Sequence, residues 1–181
     1  MIRKMLKVIL LTLLTYLLQA TLAQELAISG AAPNLALGLV AVIAVCMGRK
    51  YAFLMSLTVG YLLQLMLAPL DYFTLILYPV SAMLGALLFS DKSERKLEEE
   101  RTLGKRSTQL NPHLRTILCA AVSAAVYEGV HLIYTYLSGI SITAGHISRA
   151  LIALGYTALL AGLLQFPIRW WLGVYKLPKA R

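Results

Sequence analysis

The chain has 181 residues, of which 59% are hydrophobic and 14% are charged. Soluble domains have a hydrophobic share of roughly 45–50%, so this composition excludes a soluble globular fold. The formal net charge of +9 does not indicate nucleic-acid binding, because every basic cluster lies beside an apolar block. The basic clusters are instead interpreted as signals for membrane topology and as contacts with anionic lipid. Each such contact contributes about 1 kcal/mol for a basic residue near the membrane surface.

The apolar residues form long blocks that charged residues separate. A transmembrane helix needs about 20 mainly apolar residues, and the two uncharged runs on either side of Glu128 are interpreted as one helix. The sequence therefore predicts an all-α, integral membrane bundle of six transmembrane helices forming a single domain over residues 1–181. The predicted helices are approximately 5–23, 33–47, 51–68, 72–90, 113–137 and 147–173, with a charged cytoplasmic connector over 91–112.

Lysine and arginine set the predicted orientation, because they are retained in cytoplasmic loops close to membrane segments. With the N-terminus in the cytoplasm, 16 of the 17 basic residues lie inside and only Arg149 lies outside. The first segment has the features of a signal peptide, with Arg3, Lys4 and Lys7 before an apolar run. Its removal would leave five spans and place the C-terminal basic residues outside, so we expect a retained helix and both termini in the cytoplasm.

Glu128 is the outstanding polar residue, because an ionisable group in the middle of a span costs at least about 2.5 kcal/mol and normally faces protein or water. His131 follows one helical turn later on the same face. We expect an intramembrane polar patch, either a proton or ligand site or a structural carboxylate that is neutral or hydrogen-bonded between helices. Its candidate members are Glu128, His131, Tyr127, Gln64 and Gln19, with Tyr134 close by.

The pattern Glu128-x-x-His131 also occurs in di-iron bundles, which need further carboxylates. Glu128 is the only carboxylate within the predicted spans, so no metal site is expected. Cys46 and Cys119 lie within predicted spans without CxxC spacing and are interpreted as small apolar residues. No nucleophile motif or phosphate-binding loop occurs. The sequence therefore predicts a protein without catalytic activity or cofactor.

Small residues at four-residue spacing predict close helix contacts, because close backbone approach drives helix association in lipid. Such a face serves either packing within the bundle or the transmembrane helix of a partner. The residues are Ala121, Ala125 and Gly129, then Ser81 with Gly85, and Ala158 with Gly162.

Four stretches carry a resemblance to a known family: Leu17-Leu18-Gln19, Pro33-Asn34-Leu35, Gly60-Tyr61-Leu62-Leu63-Gln64-Leu65, and Tyr78-Pro79 with Gly85. Together with the length and six-helix plan, they resemble the bacterial rod shape-determining protein MreD family. The motif positions are Gln19, Pro33, Asn34, Gly60 and Gln64. Asn34 and Gln64 depart from the family pattern, in which acids are expected at both positions.

The resemblance implies a non-catalytic scaffold of the cell-wall elongation machinery in the bacterial cytoplasmic membrane, needed for rod shape and peptidoglycan biosynthesis. The implied partners are an MreC-like single-pass protein, a cell-wall glycosyltransferase and transpeptidase, and an actin-like filament. It also implies a bundle similar to the substrate-binding subunits of energy-coupling-factor vitamin transporters, which makes such a subunit the alternative function. The alanine-rich motif with which those subunits dock is missing from residues 5–23.

Overall fold

The computed structural model describes residues 2–28, 30–66, 73–89 and 110–173. This part of the chain is all-helical and contains no strand, which confirms the predicted all-α class for these residues. One isolated bridge pairs Ile28 with Ala31. Most of the predicted charged connector lies outside the described residues. The helices are α1 (Ile2–Glu25), α2 (Leu35–Cys46), α3 (Arg49–Met66), α4 (Phe73–Phe89), α5 (Pro112–Leu137) and α6 (Ala144–Leu172).

Three of the described helices are long and apolar enough to cross a membrane: α1 over Met5–Ala23, α5 and α6. They identify a membrane protein by length and composition. The other two apolar helices are shorter, with 12 residues in α2 and 17 in α4. At 1.5 Å per residue they measure about 18 Å and about 26 Å, less than the hydrocarbon thickness of about 30 Å.

Helix α2 forms the centre of the bundle. Every residue from Leu35 to Val45 is buried, and α2 contacts all five other helices. A helix that is apolar all around its circumference belongs in a protein core or in lipid, and here the other helices cover it. The second predicted span is therefore a buried core helix that the other helices surround.

The start of α2 differs from the prediction, which placed it at residue 33. The helix begins at Leu35 because Asn34 acts as its N-cap: the Asn34 backbone is not helical, and its side chain accepts a hydrogen bond from the Leu37 amide. Pro33 thus precedes the cap instead of opening the helix. Ala31, Pro33 and Asn34 are all buried, so the chain enters the bundle interior before the helix starts.

Glycine permits the closest approach between neighbouring helices. A Cβ atom at Gly85 of α4 would overlap the Ser123 hydroxyl of α5 and lie 2.8 Å from the Cys119 carbonyl oxygen. A Cβ atom at Gly60 of α3 would lie 3.1 Å from the Tyr78 Cβ of α4. These approaches hold α3, α4 and α5 together through backbone packing.

The two ends of the bundle differ in charge. At one end, four basic side chains donate hydrogen bonds to backbone carbonyls near the ends of neighbouring helices, over 2.6–3.3 Å. Arg149 lies at the opposite end, where its side chain is close to Gly30. The pairs at the basic end are Lys7 with Trp171, Arg49 with Leu87, Arg115 with Phe89 and Arg169 with Pro112.

Candidate functional site

The first polar site surrounds the N-terminus of α2, and we call it the α2 cap. It consists of Gln19 from α1, Asn34, Tyr78 from α4 and Thr157 from α6. The Ala36 amide donates to Gln19 Oε1 at 3.1 Å. The Asn34 amide donates to Thr157 Oγ1 at 2.9 Å.

The Asn34 side chain is the centre of the α2 cap. Its Oδ1 atom accepts hydrogen bonds from the Leu37 amide at 3.1 Å and from the Tyr78 hydroxyl at 3.2 Å. The first amides of a helix have no partner within the helix, and an unpaired buried donor costs about 1–3 kcal/mol. Gln19 of α1 and Thr157 of α6 thus accept from amides at a helix terminus that lies in the apolar interior, and Tyr78 of α4 donates to the cap residue itself.

Most of the motif positions that carry the family resemblance meet at the α2 cap. Gln19 and Asn34 form it directly, Pro33 is buried immediately before it, and Gly60 lies against Tyr78. Gln64 does not reach it. Its Oε1 atom is buried and has no hydrogen-bond partner among the described residues.

The predicted polar patch is therefore divided between places. Gln19 belongs to the α2 cap, whereas Glu128 and His131 line a separate cavity. Tyr127 lies between the two sites, with its ring centroid 5.1 Å from that of Tyr78 and 6.2 Å from that of His131. The ring of Tyr134 stacks on Phe73 at 4.5 Å.

The second polar site is a cavity of about 240 Å³ at the end of the bundle that contains Arg149, and we call it the outer cavity. Three segments form it: the loop before α2, the C-terminal half of α5 and the N-terminal half of α6. The polar side chains that line it are Glu128, His131, Thr135, His146 and Arg149. The remaining lining residues are the small residues Gly30, Ala31, Ala32, Ala150 and Ala153, and the apolar Leu132.

Helical spacing explains why these side chains share one cavity. On α5, Glu128, His131 and Thr135 recur at intervals of three and four residues and therefore form one stripe. On α6, His146 and Arg149 form a matching stripe. The two helices pack against each other, so both stripes line the same space.

Hydrogen bonds orient the side chains of His146 and Thr135 in the outer cavity. His146 Nδ1 accepts from the Thr143 amide at 3.2 Å as part of a capping box at the start of α6. Thr135 Oγ1 donates to the His131 carbonyl at 2.9 Å. Glu128 is half-buried and Arg149 is exposed. The cavity thus presents both signs of charge.

The histidines and the carboxylate of the outer cavity are residue types that can bind a metal ion. Within residues 2–28, 30–66, 73–89 and 110–173, no three His, Cys, Asp or Glu side chains group in a way that could hold one. Cys119 is buried and Cys46 is half-buried, and the two are not joined by a disulfide. The outer cavity is equipped for hydrogen bonding and charge pairing with a small ligand.

The predicted small-residue faces have different surroundings. Ser81, Gly85, Ala158 and Gly162 are buried within the bundle. By contrast, Ala121 is half-buried, Ala125 is exposed, and a Cβ atom at Gly129 would meet nothing within 4 Å among the described residues. We call Ala121, Ala125 and Gly129 the α5 small-residue face, which is open.

Sequence reasoning missed Thr157 as a cap residue and Arg149, His146 and Thr135 as cavity residues. Arg149 carried a usable signal, because it is the one basic residue on the side that the positive-inside rule disfavours. His146 lies three residues before it, on the same helical face. Nothing local marks Thr157, since its partner Asn34 lies 123 residues away in sequence.

These features define an all-helical membrane protein with a buried polar cap and a polar cavity at one end. No protein-family model, curated protein or solved structure matches the chain. Its function is therefore inferred from its own residues.

Proposed function

We propose that this protein is a non-catalytic membrane scaffold of the MreD type, which assembles the cell-wall elongation machinery in the bacterial cytoplasmic membrane. It crosses the membrane six times with both termini in the cytoplasm. Its direct partner is an MreC-like single-pass protein, and through that protein it acts with a glycosyltransferase, a transpeptidase and an actin-like filament.

The observation that carries this proposal is that residues from the family-like motifs meet at the α2 cap. Gln19, Asn34 and Tyr78 come from three stretches of the sequence but bond around one helix terminus, and Gly60 packs against Tyr78. If these motifs maintain a fold shared with the family, their residues should stabilise the same part of the structure, as they do here. Asn34 performs the capping with an amide where the family pattern has an acid, and either group can accept both hydrogen bonds.

The charge difference between the two ends supports the proposed orientation. The described basic side chains lie at one end, except Arg149. Cytoplasmic loops retain such residues. That end contains the N-terminus of α1 and the C-terminus of α6, so it corresponds to the cytoplasmic side in a six-span arrangement.

The α5 small-residue face supports the binding of a partner helix. Small residues allow the close backbone contact on which helix association in lipid depends. Ala125 is exposed and, within the described part of the chain, Gly129 has open space around it, so a single-pass helix can approach α5 without rearrangement of these helices.

Affinity purification of the tagged full chain from native membranes in mild detergent, followed by mass spectrometry, tests the proposal. We expect an MreC-like single-pass protein and wall-synthesis enzymes to co-purify. Gly129→Leu should reduce their recovery, whereas the matched variant Gly155→Leu should not, because Gly155 of α6 also has nothing within 4 Å of an added Cβ among the described residues. Equal recovery with both variants would exclude the α5 small-residue face, and absence of the wall-synthesis proteins would reject the scaffold.

The outer cavity favours a second function, that of a substrate-binding subunit of an energy-coupling-factor vitamin transporter. Such a subunit needs a polar pocket among its helices, and Glu128, His131 and Arg149 line one here. In the same purification, this function predicts recovery of a pair of ATPases and a coupling subunit in place of wall-synthesis proteins.

A further inference from the structure

We propose that the outer cavity binds a zwitterionic group that combines a phosphate with a primary amine, as in the headgroup of phosphatidylethanolamine or in free O-phosphoethanolamine. This inference is independent of the scaffold proposal, because it concerns a ligand and not a protein partner.

The phosphate is assigned to the Arg149 side of the cavity. A guanidinium group offers several N–H donors in a geometry that matches phosphate oxygens. His146 lies one turn before Arg149 and lines the same space. Both residues lie in the first two turns of α6, which begins at Ala144, and the N-terminus of a helix favours an anion.

The amine is assigned to Glu128. This carboxylate is half-buried and lines the cavity. It lies nine residues before the end of α5, which corresponds to about 14 Å of helix. A carboxylate inside a membrane bundle requires a partner, and an ammonium group supplies both opposite charge and N–H donors.

The lining distinguishes a primary amine from a quaternary one. Proteins recognise quaternary ammonium groups with cages of Trp, Tyr and Phe rings. Among the described residues, those that line the outer cavity include none of these three. Hydrogen bonding to Glu128 is therefore the available mode of recognition, and it needs the N–H donors of a primary amine.

The volume of the outer cavity suits a small group. About 240 Å³ corresponds to roughly eight water molecules at about 30 Å³ each. The space exists because Gly30, Ala31, Ala32, Ala150 and Ala153 have small or no side chains. A phosphoethanolamine headgroup fits this volume, which lies just below the range of about 300–1,000 Å³ for pockets that hold drug-sized ligands.

Native mass spectrometry of the purified full chain in nanodiscs or detergent tests this inference. The probes are phosphatidylethanolamine, phosphatidylglycerol and phosphatidylcholine with identical acyl chains, and O-phosphoethanolamine as the free competitor. We expect retention of phosphatidylethanolamine above the other two, because phosphatidylglycerol has no amine and phosphatidylcholine has no N–H donor. Competition by O-phosphoethanolamine would identify the soluble group as sufficient, and its failure would identify the lipid as the source.

Variants locate the binding within the cavity. Arg149→Gln and Glu128→Gln should each weaken phosphatidylethanolamine binding by about tenfold or more, the effect of losing one charged hydrogen bond. Lys50→Gln and Glu25→Gln are the matched controls, since both residues are exposed and lie outside the cavity. Ala150→Leu should abolish binding by filling the space while both charges remain.

Thermal unfolding of each purified variant shows whether it is folded, and Ala150→Leu provides the test if a charge variant does not fold. Equal retention of the three lipids would overturn the inference. Retention that depends on Arg149 but not on Glu128 would also overturn it, because the site would then recognise an anion alone.

Discussion

At the N-terminus of α2, individual side chains satisfy amide groups that lie in an apolar interior. Thr157 accepts from the Asn34 amide, and the Asn34 side chain accepts from the Leu37 amide and the Tyr78 hydroxyl. Because water is excluded from such a site, the loss of one acceptor leaves a donor without a partner. We therefore expect the free energy of unfolding to depend on individual acceptor atoms of the α2 cap.

Thr157→Val keeps the shape of the side chain and removes the acceptor for the Asn34 amide. We expect the free energy of unfolding to fall by about 1–3 kcal/mol, measured by detergent-induced unfolding of the purified protein. The control is Thr58→Val, because Thr58 is exposed and its hydroxyl bonds only within its own helix, to the Leu54 carbonyl at 2.8 Å. A similar loss in both variants would show that the bond to Asn34 is not responsible.

Asn34→Ala removes a cap together with the acceptor for Tyr78. The expected loss is about 2 kcal/mol, from a cap contribution of about 1 kcal/mol and one further hydrogen bond. Asn111→Ala removes an exposed N-cap, which accepts from the His113 amide at 3.1 Å, and should cost about 1 kcal/mol or less.

Asn34→Asp introduces the acid that the family pattern has at this position. Both acceptor bonds are retained, and a negative charge at a helix N-terminus is favourable. We therefore expect a smaller loss of stability than in Asn34→Ala in the same unfolding assay. A loss equal to or larger than that of alanine would mean that burial of the charge outweighs the capping.

At the scale of the helices, the contact between α4 and α5 depends on the absence of a side chain at Gly85. The nearest atoms to an added Cβ belong to the Ser123 hydroxyl and to the backbone carbonyl of Cys119. The hydroxyl belongs to a small side chain that can be removed, but the carbonyl belongs to the helix. Any side chain at Gly85 must therefore push the two helices apart.

Gly85→Ala should lower the free energy of unfolding by about 1–3 kcal/mol, the usual effect of overpacking. Ser123→Ala added to this variant should restore part of the loss, because it removes the hydroxyl but leaves the Cys119 carbonyl 2.8 Å from the new Cβ. Gly155→Ala is the control, with open space around it among the described residues. The measurement is the unfolding curve of the parent protein, Gly85→Ala, the double variant and Gly155→Ala. An unchanged free energy of unfolding in Gly85→Ala would contradict the close approach of α4 and α5.

For the whole molecule, the distribution of charge over the two ends supports the proposed orientation. Lys50 lies at the basic end near the start of α3, and Ile140 lies in the loop between α5 and α6 at the other end. Both side chains are exposed, so each position can report on the side of the membrane that it faces.

Lys50→Cys and Ile140→Cys test the proposed orientation in intact cells. A membrane-impermeant thiol reagent should label the cysteine at position 140 without lysis and the cysteine at position 50 only after lysis. The parent protein provides the background, since Cys119 is buried and Cys46 is half-buried. Labelling of position 50 in intact cells would reverse the topology.

The sequence alone determined the properties that depend on local composition. Apolar blocks and charged boundaries predicted a helix over 113–137, and α5 is Pro112–Leu137. The predicted helices 33–47 and 147–173 correspond to Leu35–Cys46 and Ala144–Leu172, with bounds that differ by one to three residues. Hydropathy acts on each segment separately, so a single sequence is enough to place it in a membrane. The unusual positions of Glu128 and Arg149 were also visible in the charge pattern.

Only the tertiary structure decided which residues meet. The sequence treated α2 as one span among six, whereas the fold surrounds it with five helices and caps it with Thr157, a residue 123 positions from Asn34. The fold also places Gln19 and Glu128 in different sites and brings Glu128 and Arg149 to one cavity. These contacts depend on how whole helices pack, and local hydropathy carries no information about which faces of distant helices meet.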